Sequence, residues 1–289
     1  MRRAAGAATR PAHEGLHWRI WCAELAGTGL LVLGALSAVA LMLGAGSPVA
    51  SALPSTSARL ALTGALVATI VVLIVVSPLG RLSGAHLNPA VTIAFRALGR
   101  VGDRDLVGYI VAQLMGGIAG AIVFRVAWGD VARSVGGGVT HPTVSVIGAV
   151  GLEAAMTAAL VATILACVCD ARLARWTPLA IWPVLAVVIW RFSPDTGASL
   201  NPARSAGPAV AFGDVGDLWI YVVGPIAGAL LGVGPWLGNA TRRPVTAKLF
   251  HDRRYACSLA TQLPAPTPGH RRAVARNAAI ADGTAGHRP

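Results

Sequence analysis

Ser83-Gly-Ala-His-Leu-Asn-Pro-Ala90-Val-Thr-Ile-Ala-Phe95 returns later in the chain as Thr196-Gly-Ala-Ser-Leu-Asn-Pro-Ala203-Arg-Ser-Ala-Gly-Pro208. Each copy reads as a helix start: the Asn side chain accepts from the open N–H groups of the first turn, and Pro at the first helical position has no N–H to satisfy. After the first copy the apolar run lasts about ten residues before Gly99, or roughly 15 Å of helix. That is half of a hydrocarbon core about 30 Å thick. A capped helix of half length in an apolar chain implies a re-entrant segment, whose irregular backbone must face protein or a water-filled cavity. Two such segments entering from opposite faces meet near the bilayer centre at their positive N-terminal ends.

The surrounding composition agrees. Of 289 residues, 55% are hydrophobic and only 12% charged, and the mean hydropathy is +0.64. A soluble domain carries about twice that charge. The net charge of +12 would suggest nucleic acid if the basic residues formed one folded face. Instead they sit in the tails and in short links between apolar runs, roughly nineteen of them on one side, as cytoplasmic loops require. No nucleic-acid partner is expected. Cys22, Cys167, Cys169 and Cys257 make no metal spacing and read as small hydrophobes. The apolar run from Trp21 to Leu43 is too long for the core of a signal peptide and reads as a retained first span.

Taken in order, residues 1–17 form a polar N-terminal tail, and spans are expected near 18–43, 59–79, 106–127, 144–168, 177–192 and 217–237. The half-helices fall at 88–97 and 201–211, a flexible external loop at 129–143, and a basic disordered tail at 240–289. The membrane-embedded unit is 18–239, with repeats over about 18–128 and 144–239. Glu24-Leu-Ala-Gly-Thr28 matches Glu153-Ala-Ala-Met-Thr157, and Gly116-Gly-Ile-Ala-Gly-Ala121 matches Gly224-Pro-Ile-Ala-Gly-Ala229. Three spans per half is odd, so the halves insert with opposite orientation. The expected fold is therefore all-α, with six transmembrane helices and two re-entrant half-helices in an inverted repeat, and both chain termini are cytoplasmic.

At the doubled motif, and over roughly residues 18–239, the chain resembles the aquaporin (major intrinsic protein) family of water and small-solute channels. The resemblance implies a pore whose centre is marked by Asn88, Pro89 and Ala90 and by Asn201, Pro202 and Ala203. The two Asn amides there donate to passing water. Glu24 and Glu153 are costly inside a membrane unless they face the interior and are paired. Their duplication beside the same Thr spacing favours support of the re-entrant loops over a proton relay, as the family uses them, and Gln113 reads as a loop support too. Arg204 follows the second Asn-Pro-Ala where the first copy has Val91. By resemblance it is the arginine of the outer constriction.

Counted from the motifs, the other constriction positions fall on Ala198, Ile189 and Ala68, with Val67 and Thr69 as alternatives to Ala68 because span two offers no local anchor. Water-selective members place an aromatic residue and a His at two of these positions, and glycerol facilitators two aromatics. The set Ala, Ile, Ala, Arg looks instead like boric-acid-permeating plant nodulin-26-like channels. Against that, Ser205 stands where glycerol facilitators have Asp. His86 is expected to line the pore, either as a hydrogen-bonding group or as a pH-sensing one. The implied function is passive conduction of water and small uncharged solutes, glycerol-like or boric-acid-like ones included, with no catalysis, cofactor or metal. The implied setting is a homotetramer among the lipids of the plasma membrane. The rival is an ion- or proton-coupled secondary transporter, which also uses inverted repeats and broken helices but needs a titratable midplane residue.

Overall fold

A computed structural model describes residues 16–237 and 244–252. The helices in order are α1 (Trp18–Leu43), α2 (Pro48–Ala52), α3 (Thr56–Val76), α4 (Pro78–Ser83), α5 (Pro89–Ala97), α6 (Asp103–Ser134), α7 (Val146–Val168), α8 (Thr177–Thr196), α9 (Pro202–Phe212) and α10 (Ile220–Leu237). Among the described residues six helices are long and apolar enough to cross a membrane: α1, α3, α6, α7, α8 with its preceding turn, and α10. The two half-helices are α5, with nine residues, and α9, with eleven; they span roughly 14 and 17 Å. We call the side on which α1 begins the near face and the opposite side the far face.

The halves interlock. α6 packs along α1 and α10 along α7, while α5 of the first half lies against α10 of the second and α9 lies against α6. The close crossings rest on small residues. A side chain at Gly116 or Gly120 would strike the carbonyls of Leu25 or Gly29, and one at Gly228 the carbonyl of Ala154. Leu25 and Ala154 each follow the matching glutamate by one residue, so one crossing is built twice, with Gly116 answering to Gly228 and not, as the sequence match has it, to Gly224.

Three segments differ from the sequence expectation. Span two ends at Val76, three residues early, because Ser77 precedes a proline and is extended (ψ 168°). Ser77 then caps the separate short helix α4. Secondly, the expected flexible loop at 129–143 is largely structured. α6 runs on to Ser134 across a break at Gly129, and a 3₁₀ turn, Gly136–Gly138, folds inward. Gly137 and Gly138 have φ of +66° and +69° and lie so close to Phe212 and Leu36 that a side chain has no room. Thirdly, within the expected disordered tail, residues 244–252 pack against the body, with Thr246, Ala247, Lys248 and Leu249 all buried. The rest of that tail, and the expected polar tail over 1–15, lie outside the described residues.

Candidate functional site

Two strained loops deliver the half-helices to the centre. Among the described residues the non-glycine positions with positive φ are Ala85 (55°), Leu87 (53°), Ala198 (45°) and Leu200 (55°). They hold matching places in the two motif copies, one and three residues before each Asn. A left-handed non-glycine residue costs roughly 1–3 kcal/mol and persists only where its surroundings hold it. Here a buried glutamate holds each loop. Glu24 accepts from the backbone N–H groups of His86 (3.1 Å) and Leu87 (2.7 Å), and Glu153 from those of Ser199 (2.9 Å) and Leu200 (2.8 Å). Gln113 Nε2 donates to Glu24 at 2.7 Å and to the Thr92 hydroxyl at 3.0 Å. In the second half the Thr196 hydroxyl donates to Glu153 at 2.8 Å. Neither glutamate borders the central cavity.

Two further supports escaped the sequence reading. The hydroxyls of Tyr109 and Tyr221 donate to the carbonyls of Ser83 and Thr196, the first residues of the two motif copies. Both rings are fully buried, and a buried tyrosine needs a partner for its hydroxyl. The chain has only three tyrosines; two of them inside apolar spans was the available signal.

The asparagines cap and cross-link. Asn88 Oδ1 accepts from Ala90 N at 2.8 Å and Asn201 Oδ1 from Ala203 N at 3.0 Å. Each amide nitrogen also donates across the centre, Asn88 Nδ2 to the Leu200 carbonyl and Asn201 Nδ2 to the Leu87 carbonyl, both at 2.8 Å. An amide NH₂ has two hydrogens. One is held by the opposite loop, and the other is left for the cavity that both residues border.

That cavity, about 460 Å³, runs from Leu43 and Thr56 toward the far face to Ile181 and Leu249 toward the near face. Its walls are chiefly apolar faces of α1, α3, α7 and α8, broken by Thr56, Thr63 and Ser193, and its other polar groups come from the two loops, with His86 and both asparagines, and from Thr140 and Arg204. Ile189, Ala198 and Arg204 border it. Ala68 does not. It is fully buried, one turn from Gly64 on the face where α3 meets the Ala186 carbonyl of α8. Val67 borders the cavity in its place, and Thr69 accepts from Trp182 Nε1 on the outer surface. Residues counted back from the motif lose their register at the break between α3 and α4, which accounts for the one-residue displacement.

Arg204 is fixed by the inward turn: its Nη1 donates to the Gly138 carbonyl at 3.2 Å. A line of hydroxyls stands beside it, Thr140 to Ser205 at 2.9 Å and Ser205 to Ser199 at 2.6 Å. Ser205 thus ties the turn to α9. On the other side of the centre His86 stacks on Phe95, with ring centroids 4.7 Å apart. Its Nε2 lies 2.8 Å from the Ala247 carbonyl and its Nδ1 3.2 Å from the Thr92 hydroxyl. A carbonyl can only accept, so Nε2 carries the proton.

The sequence model of the major intrinsic proteins matches residues 12–234. The chain belongs to the major intrinsic protein family. Among its relatives, aquaporin NIP1-1 of Zea mays is 36% identical over 179 residues, which is 62% of this chain and 62% of that protein. Aquaporin NIP1-2 of Oryza sativa subsp. japonica is 33% identical over 228 residues, covering 77% of this chain and 74% of the relative. The match thus spans less than two thirds of the maize relative's length. Among solved structures, that of the aquaglyceroporin from Plasmodium falciparum superposes with a TM-score of 0.62 at 23% identity, over 77% of this chain and 99% of that one. This major intrinsic protein shares the fold of that structure. With six apolar helices and this family, the chain is an integral, multi-pass membrane protein.

Proposed function

We propose that this protein is a passive channel for water and small uncharged solutes that excludes ions and protons. The carrying observation is the continuous cavity that passes between the two capped half-helix starts, with one N–H each of Asn88 and Asn201 left to face it. Each helix start acts as roughly +0.5 charge, and Arg204 adds a full one. Together they oppose any cation at the centre. Exclusion of protons and cations by half-helix dipoles and an arginine is the recognised behaviour of aquaporin-type pores. A water at the centre accepts from both amides, which leaves its own hydrogens directed along the two arms of the cavity.

The transporter alternative loses support from the placement of its carboxylates. Glu24 and Glu153 spend their oxygens on loop N–H groups, away from the cavity. We assign Arg204, Ala198, Ile189 and Val67 to the outer constriction, with no catalytic step and no cofactor. Three aliphatic walls and one arginine suit a solute with a small carbon skeleton and hydroxyls, such as glycerol, or the neutral trihydroxy acid of boron. The positive-inside distribution of Lys and Arg assigns the near face, and both termini, to the cytoplasm. Lipid contact and a homotetramer in the plasma membrane follow from family precedent. Exposed apolar side chains of α3 and α8, such as Leu73 and Leu179, supply the faces for both.

The test is osmotic. Proteoliposomes shrunk with an impermeant osmolyte should lose water faster than protein-free ones, then re-swell with glycerol or boric acid. Water loss without re-swelling would overturn the solute assignment, and neither response would overturn the channel.

A further inference from the structure

The cytoplasmic mouth of the cavity is crossed by the chain itself. Residues 244–252 are anchored on both sides of it: Val245 N donates to the Val168 carbonyl at the end of α7 (2.8 Å), and Leu249 N to the Gly84 carbonyl ahead of α5 (3.0 Å). Between these points the Ala247 carbonyl accepts a hydrogen bond from Nε2 of His86, and the Leu249 side chain borders the cavity. Lys248 is 1% exposed, and its ammonium donates to the Arg81 carbonyl at 2.6 Å. The Arg81 side chain in turn reaches Asp252 at 2.9 Å and lies over the Phe250 ring. A buried lysine is held by such bonds and not by hydrophobicity, so this is a built contact.

The segment also completes a symmetry. A side chain at Gly197, in the second motif copy, would strike Thr140 just after the inward turn; one at Gly84, the equivalent glycine, would press tightly on the Ala247 carbonyl and Lys248. The turn brings the Gly138 carbonyl to Arg204 on one side, and residues 244–252 bring the Ala247 carbonyl to His86 on the other. Each arm of the cavity thus has a segment laid over its motif glycine, with a carbonyl committed to the main polar side chain of that arm.

We propose that residues 244–252 are a resident strap that closes down the cytoplasmic mouth, and that its release raises conduction. This rests on the channel reading above. While docked, the strap occupies the His86 donor that a permeating molecule would use and places Leu249 in its path.

The test uses the full chain in proteoliposomes, with water permeability per channel and amide exchange at Val245 and Leu249 both measured. Leu249→Ala keeps every hydrogen bond of the strap and removes the obstructing side chain, so it should raise water permeability several-fold with exchange unchanged. Lys248→Met removes a charge-assisted hydrogen bond, which shifts the docked-to-undocked ratio by about tenfold. Exchange at both amides should quicken in that variant and permeability rise with it. Permeability unchanged or lowered in both variants, with Lys248→Met exchanging faster, would overturn the strap. Absence of water flux in wild type and variants alike would overturn the channel reading itself.

Discussion

Glu153→Ala should remove the footing of the second half-helix, and the structure sets the size of the loss. The carboxyl group accepts from Ser199 N, Leu200 N and the Thr196 hydroxyl, at 2.8–2.9 Å. Removing it leaves three buried donors without an acceptor, at about 1–3 kcal/mol each. It also frees a loop in which Ala198 and Leu200 hold φ of +45° and +55°, so strain of roughly 1–3 kcal/mol per residue, already carried by the wild type, then drives the loop out of place. Against a typical folding stability of about 5–15 kcal/mol, Glu153→Ala should yield little folded protein. Glu153→Gln is the informative partner. Simple retention of an acceptor would make it silent, but both oxygens are in use. With its one oxygen on Ser199 and Thr196, the new NH₂ faces Leu200 N, donor against donor, for a loss of about 1–3 kcal/mol. Denaturation midpoints of purified protein should therefore rank wild type, then Gln, then Ala, with the Ala loss about three times the Gln loss. Water flux per folded Gln channel should be near normal. An Ala variant as stable as Gln, or a well-folded Gln variant without flux, would refute this reasoning and return weight to a proton relay.

Other substitutions probe the centre and the constriction. Asn201→Asp puts a second acceptor 2.8 Å from the Leu87 carbonyl and a potential negative charge between two positive helix ends, so water flux should fall or cation leak rise; patch-clamp or dye-leak assays with unchanged ion exclusion and water flux would count against its placement. Val67→Phe should narrow the cavity and cut re-swelling by glycerol more than water loss, and Ile189→His should do the same while adding a polar partner. Equal solute flux in both variants would remove these two residues from the constriction.

Much of the centre was legible because its residues break the local rules of a membrane span. Asn-Pro in an apolar stretch, Glu24 and Glu153 in mid-span, and an arginine on a half-helix are each expensive, and the first two are duplicated. What the sequence concealed depends on contacts between distant segments. Ala68 and Val67 are both small and aliphatic, so only the break at Ser77, which resets the register of α3 against the motif, separates the residue facing the cavity from the one facing α8. Gly136-Gly-Gly138 reads as a loose loop, yet here the glycines permit close approach to Phe212 and Leu36, which brings a carbonyl to Arg204. Lys248 reads as one more solvated charge of a basic tail; its burial follows from the Arg81 carbonyl, far away in sequence. Tyr109 and Tyr221 reach the same carbonyl of their motif copies from equivalent places, each seven residues before the glycine that crosses Leu25 or Ala154; matching Gly116 to Gly224 in sequence set that repeat four residues out of register and hid them.

The most direct measurement records two signals from the same proteoliposomes: light scattering for volume and an internal dye for pH, under an osmotic step and then under a proton gradient. Channel conduction through the two capped half-helices predicts water loss well above protein-free vesicles with the pH gradient left intact. A pH gradient that collapses through the protein, or solute accumulated uphill as it does so, would contradict it.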